Sequence, residues 1–198
     1  NWGALYLEAG MFAGGVVAVA GSRVLPAGGA VMVAEAARVL AACGCSLVVG
    51  CCCGADAAVF SSVPASRVLC AFGPAGEGAG PASAVGPVLA FASSGGAVAW
   101  WAGGGPSVPL FARLARRTRA VASAASSGLL LFPSSPVSRG SWLAAGFAVA
   151  RGLPVVVVPL GFSPALLPAL GVGRWARMSG VGVFGDAWRW IGGQGALF

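Results

Sequence analysis

The feature that most constrains this chain is a recurring unit: a run of no more than five Val, Ala, Leu or aromatic residues that stops at a glycine- or proline-containing loop and gives way to helix formers. Residues 16–20 (VVAVA) stop at Gly21-Ser22-Arg23. Residues 46–49 stop at Gly50, 68–72 at Gly73, and 97–101 just before Gly103-Gly104-Gly105-Pro106. Residues 129–132 open into the 133–141 loop, and 155–158 stop at Pro159. Short apolar runs without polar alternation read as strands buried on both faces, the pattern of a parallel sheet covered by helices. Between them, residues 30–43, 57–62, 88–94, 107–127 and 142–151 have helical composition, with Gly44 and Gly152 placed as C-terminal caps. The alternation predicts an α/β fold, a Rossmann-like open parallel sheet with helices on both faces. Right-handed crossovers then bring the strand-to-helix loops to one edge of the sheet.

The hydrophobic fraction of 58% and mean hydropathy of +0.87 raise the question of a membrane. A spanning helix needs about 20 mostly apolar residues without repeated breakers. The longest uncharged stretch, 78–112, is interrupted by Gly80, Pro81, Pro87, Gly95, Gly96 and the 103–106 loop, and 152–173 carries prolines at 154, 159, 164 and 168. No membrane partner is expected. No basic and apolar signal segment opens the sequence, so a cytoplasmic location is expected. Cysteines stand at 43, 45, 51, 52, 53 and 70, and there is no histidine. That spacing suits neither a disulfide framework nor a zinc site, so the cysteines read as reduced, buried, small apolar residues, with no metal and no cofactor. Residues 1–160 form the predicted Rossmann-like domain. Residues 161–198, where Trp175, Trp188 and Trp190 stand beside Arg174, Arg177 and Arg189, form an extension packed on it as a wrap or a small accessory element.

All twelve basic residues are arginine, against five acids, giving a net charge of +7. Arginine is the planar, bidentate partner of phosphate. Three loops place glycine beside donors: Gly21, Ser22 and Arg23; Gly50 and Gly54 with Asp56; and Ser138, Arg139, Gly140 and Ser141 opening the helix at 142. Such loops favour an anion through unpaired N–H groups at a helix start. Asp56 serves equally as an N-cap or as a ligand contact. Arg113, Arg116, Arg117 and Arg119 fall within seven residues of a chain that is only 9% charged, either as a solvated face or as a basic surface. Arg117 and Arg119, two apart, point about 200° from each other on a helix, which makes Arg116 the better companion for Arg119. With so few carboxylates and no histidine, general acid–base chemistry has few actors, and no catalytic residue is expected.

Val17-Ala18-Val19-Ala20-Gly21-Ser22-Arg23, followed by Gly50-x-Cys52-x-Gly54-Ala55-Asp56-Ala57-Ala58, resembles the DNA-processing protein A (DprA/Smf) family of the SLOG group of Rossmann-like domains. Arg116-Arg117-Thr118-Arg119 is similar to that family's Arg-Arg-Asn-Arg segment, and Gly140-Ser141-Trp142-Leu143 and 152–159 keep its spacing, over about residues 16–160 in all. The sequence departs from the family pattern at Thr118, at Ala144 in place of threonine and at Phe60 in place of histidine. The resemblance implies a single-stranded-DNA- or nucleotide-binding protein of DNA processing or recombination, often a homodimer, with a recombinase as partner. It also implies Ser22, Arg23, Gly50, Gly54, Arg117, Arg119 and Gly140 as contacts. Related phosphoribohydrolases of nucleoside monophosphates use a glutamate where this chain has Ala144, so an enzyme of that kind is the alternative. A sensor of a nucleotide-derived signal is the third reading.

Overall fold

The structure, a computed structural model, describes residues 10–12, 14–51, 53–64, 66–73, 77–78, 82–101, 103–105, 107–180 and 182–193. Cys52, Pro106, residues 74–76 and 79–81 of the Gly/Pro-rich loop, and the end of the extension at 194–198 lie outside the described residues. Eight strands form one sheet: β1 (Val16–Gly21), β2 (Ser46–Gly50), β3 (Arg67–Cys70), β4 (Ala97–Trp100), β5 (Gly128–Phe132), β6 (Val155–Val157), β7 (Gly173–Arg177) and β8 (Trp188–Gly192). Their spatial order is β4-β3-β2-β1-β5-β6-β8-β7. Strands β1 to β6 pair in parallel, β8 runs antiparallel to β6, and β7 antiparallel to β8. The Rossmann-like α/β architecture read from the sequence is the one observed.

Both faces of the central parallel strands β1, β2, β5 and β6 are covered, which explains their unbroken apolar runs. Val17, Val19, Leu47, Val49, Val68 and Phe132 point to one face. There they meet Val33, Ala36 and Leu40 of α1 (Gly29–Ala42), Val59 and Phe60 of α2 (Ala55–Ser62), and Val88 and Phe91 of α3 (Ala82–Ser93). Ala18, Val48, Leu129, Leu131, Val155 and Val157 point to the other face, against Val121 of α4 (Leu110–Ala124) and Ala144, Ala145 and Ala148 of α5 (Arg139–Ala150). Among the described residues no helix is long and apolar enough to cross a membrane.

Three helix boundaries differ from the sequence reading, each for a local reason. Helix α3 starts at Ala82 and contains Pro87. Proline there gives up the bond to the Ser83 carbonyl and crowds that group, yet the helix runs through it with Ala84, Val88 and Phe91 buried. Helix α4 starts after Pro109 and stops at Ala124, because the N–H groups of Ser126 and Ser127 both turn to the Val16 carbonyl at the start of β1. Helix α5 starts at Arg139, so 139–141 are its first turn and not a loop before it. The extension at 161–198 supplies β7 and β8, which continue the sheet, pairing Val156 with Arg189 and Val157 with Trp188. On the α5 side Trp175 stacks edge-on against Trp190 and Trp142, with ring centroids 5.2 and 6.5 Å away.

Candidate phosphate-binding cavity

The chain leaves β1 toward β2, β3 and β4 on one side and returns to β5 and β6 on the other. The sheet therefore has a switch point between β1 and β5, and in open α/β sheets the crevice beyond such a point is where ligands sit. A cavity of about 480 Å³ lies there. Its floor is Gly21 and Gly50 at the ends of β1 and β2, with Asp56 from α2 and Arg117 from α4. One wall is the first turn of α5, Arg139 to Ser141 with Ser138 before it. Phe111, Leu114 and Val121 of α4 with Leu143 and Ala144 of α5 add apolar surface to the lining, and Ser22 and Arg23 complete it.

The glycines are explained by what crowds them. At Gly21 an added Cβ lies 2.5 Å from Ala55 Cβ and 2.7 Å from the Phe132 carbonyl, so only glycine lets the end of β1 pack between α2 and β5. At Gly50 a Cβ lies 2.8 Å from Asp56 Oδ2 and 2.9 Å from Arg117 Nε. The missing side chain is the space in which an acid from one face of the sheet and an arginine from the other come together over the end of β2. Both are nearly enclosed, Asp56 at 6% and Arg117 at 7% exposure. Proximity of opposite charges offsets the cost of withdrawing each from water.

Ser22 joins the two loops of the switch point. Its Oγ accepts from the Ser134 N–H at 2.8 Å and lies 3.3 Å from Ser138 Oγ. Ser138 precedes α5 but makes no side-chain cap bond, and the first N–H groups of a helix have no partner within it. The N–H groups of α5's first turn thus open toward the cavity side, supplemented by the helix dipole. Arg23 and Arg139 are exposed and make no ion pair among the described residues. Three arginines against one carboxylate make the lining a cationic one.

Of the residues singled out in the sequence, Gly21, Ser22, Arg23, Gly50, Asp56, Arg117, Ser138, Arg139, Gly140 and Ser141 line this cavity. Gly54, Arg116 and Arg119 do not. Gly54 has φ +75° and packs its Cα against the Ser22 and Arg23 carbonyls, where the Ala55 N–H donates to Ser22 O at 3.1 Å. Its role is to bring two loops into contact. Arg116 Nη1 reaches the Gly103 carbonyl at 3.4 Å, and Arg119 lies over the Phe147 ring, 4.9 Å from its centroid. The helix period separates Arg117 from Arg119 in the way their two-residue spacing requires.

Two features were not legible in the sequence. Phe111 is 76% exposed at the cavity mouth. Cys51 is not an inert apolar residue. Its Sγ accepts from the Ala71 N–H at 3.3 Å and from Arg117 Nη1 at 3.4 Å. A hydrogen bond from the Cys70 thiol, opposed by burial and aided by the Arg117 charge and these N–H donors, holds the Cys51 thiol down at about 5. The arginine that lines the cavity thus also favours the charged form of the Cys51 thiol.

With this geometry in place, comparison with known proteins adds one point. The solved structure of DNA processing protein A from Helicobacter pylori, described for its single-stranded DNA binding mode, superposes with a TM-score of 0.61. The two are 18% identical, over 77% of this chain and 69% of that one. The likeness shows the fold. No family model and no curated protein matches the sequence.

Proposed function

We propose that the protein binds single-stranded DNA, with one nucleotide seated in the cavity at the switch point. The observation that carries this reading is the combination in one lining of Arg23, Arg139, Arg117 and the opening turn of α5 with the exposed ring of Phe111, Leu114 and Leu143. Phosphate contacts to arginine and backbone N–H groups supply sequence-independent affinity. An exposed aromatic beside them is a stacking platform for a base. A volume of about 480 Å³ is at the small end of ligand sites, roughly 300–1,000 Å³. It suits one nucleotide, while a strand continues over the open rim past Arg23 and Arg139. The single-stranded DNA binding of the Helicobacter pylori protein that shares the fold points the same way.

The test is a titration of fluorescent oligothymidylate and of a mononucleotide at two salt concentrations. Preference for the oligomer with steep salt dependence supports a strand binder. Saturation by the mononucleotide with no gain from length supports a nucleotide sensor instead. Release of base or phosphate supports an enzyme, for which Asp56 is the sole carboxylate in the lining.

A further inference from the structure

The sheet register pairs Gly50 with Leu69, so the next residues, Cys51 and Cys70, lie side by side at the ends of β2 and β3. Neighbouring strands run about 4.7–4.9 Å apart, inside the Cα separation of about 4.4–6.8 Å that a disulfide spans. Both side chains are fully enclosed, yet Cys51 Sγ touches Arg117, and Arg117 lines the cavity. The sulfur is thus one side chain away from a space that a small molecule can enter. An enclosed sulfur that collects an amide N–H and a guanidinium N–H is arranged to carry negative charge.

We propose that Cys51 and Cys70 form a redox-active pair that a hydroperoxide converts to a disulfide, so that Arg117 keeps Asp56 beside it but loses the sulfur as a second acceptor, and the cavity becomes more cationic. The Cys51 thiolate attacks one peroxide oxygen and the O–O bond breaks. The leaving oxygen takes up the proton that Cys51 had released, departing as water or an alcohol, and Cys51 becomes a sulfenic acid. The Cys70 sulfur then attacks the sulfenic sulfur, the S–O bond breaks, and the hydroxyl leaves as water with the Cys70 proton. Two electrons pass from the two sulfurs to the peroxide.

Loss of one negative charge beside Arg117 strengthens attraction for a phosphate in the cavity. One unit charge at about 7 Å is worth roughly a threefold change in affinity even in bulk water, and more in a less polar site. This coupling rests on the cavity being a phosphate site, whereas the dithiol chemistry does not.

The experiment treats the whole chain with hydrogen peroxide, maps crosslinked peptides by mass spectrometry, and titrates reduced and oxidised protein with oligothymidylate. Expected are a Cys51–Cys70 disulfide reversed by dithiothreitol and binding at least about threefold tighter when oxidised. Cys70→Ser should allow a Cys51 sulfenic acid to be trapped by dimedone, and Cys51→Ser should give neither product. Persistence of both thiols in the wild-type chain, or crosslinks joining other cysteines instead, overturns the proposal. A disulfide that leaves binding unchanged overturns the coupling. A disulfide in a protein that binds the oligomer in neither state removes the strand-binding reading while the dithiol chemistry stands.

Discussion

Replacing Gly50 by alanine tests whether the meeting of Asp56 and Arg117 depends on a missing side chain. The backbone of Gly50 is not in the left-handed region, so alanine brings no φ penalty of its own. The added methyl lies 2.8 Å from Asp56 Oδ2, 2.9 Å from Arg117 Nε and 3.0 Å from Arg117 Cζ. These are side-chain atoms, but both side chains are enclosed, so neither yields without separating two buried charges. Overpacking of this kind costs about 1–3 kcal/mol, and for a domain near 200 residues each kcal/mol lowers Tm by roughly 2–4 °C. Gly146→Ala is the matched control. It lies inside α5, outside the cavity lining, with nothing within 4 Å of the new methyl, and a compatible Gly→Ala change stabilises by about 0.4–1 kcal/mol. Urea unfolding and thermal melts of the two variants, with oligothymidylate titration alongside, measure both effects. Gly50→Ala as stable as the wild type with undiminished strand binding would refute the reasoning, since the charges would then have room that the geometry denies them.

Arg23→Ala and Arg139→Ala should each flatten the plot of log affinity against log salt by about 0.7 for a single strand, while Arg119→Ala, whose side chain covers Phe147, should leave the slope unchanged. Phe111→Ala should cost about 1–3 kcal/mol of oligonucleotide binding through lost base stacking. Because the ring is 76% exposed, the same variant should unfold within about 0.5 kcal/mol of the wild type. The Cys51 thiol is lowered from 9.0 to about 5 in the fold, so its contribution is fully present above pH 9 and is lost as pH falls toward 5. The stability of the wild type relative to Cys51→Ser, read by urea midpoints at pH 6 and pH 8.5, should therefore be greater at the higher pH. An equal gap at both would show that Cys51 is protonated in the fold.

How far the sequence could be read depends on whether the physics is local. Strands β1, β2, β5 and β6 were legible because burial on both faces leaves an uninterrupted apolar run, and β3 and the edge strand β4 because theirs are short apolar runs bounded by loops. Strands β7 (GRWAR) and β8 (WRWIG) mix arginine with tryptophan without an unbroken apolar run and are only partly buried, and so they read as an irregular tail. The first turn of α5 has the composition of a loop, and only its backbone makes it helix. Most of the cavity was legible because strand-end loops converge by topology alone. Arg119 stood out in the sequence through both the arginine cluster and the resemblance, and its place over the Phe147 ring depends on a neighbouring helix that the sequence does not position. The charge on Cys51 was beyond sequence reasoning because Arg117 is 66 positions away and the two meet only across a finished sheet.

The hairpin of β7 and β8 also decides how the sheet ends. Without it, Val155–Val157 would present unpaired N–H and carbonyl groups on an all-valine strand, the kind of edge that recruits another chain and polymerises. Pairing with β8 conceals that strand, and the boundary moves to β7, where Arg174 and Arg177 flank Trp175. Charged side chains on an outermost strand resist edge-to-edge addition. The arginine-bearing hairpin thus acts as an end-stop that keeps the valine strand from templating aggregation.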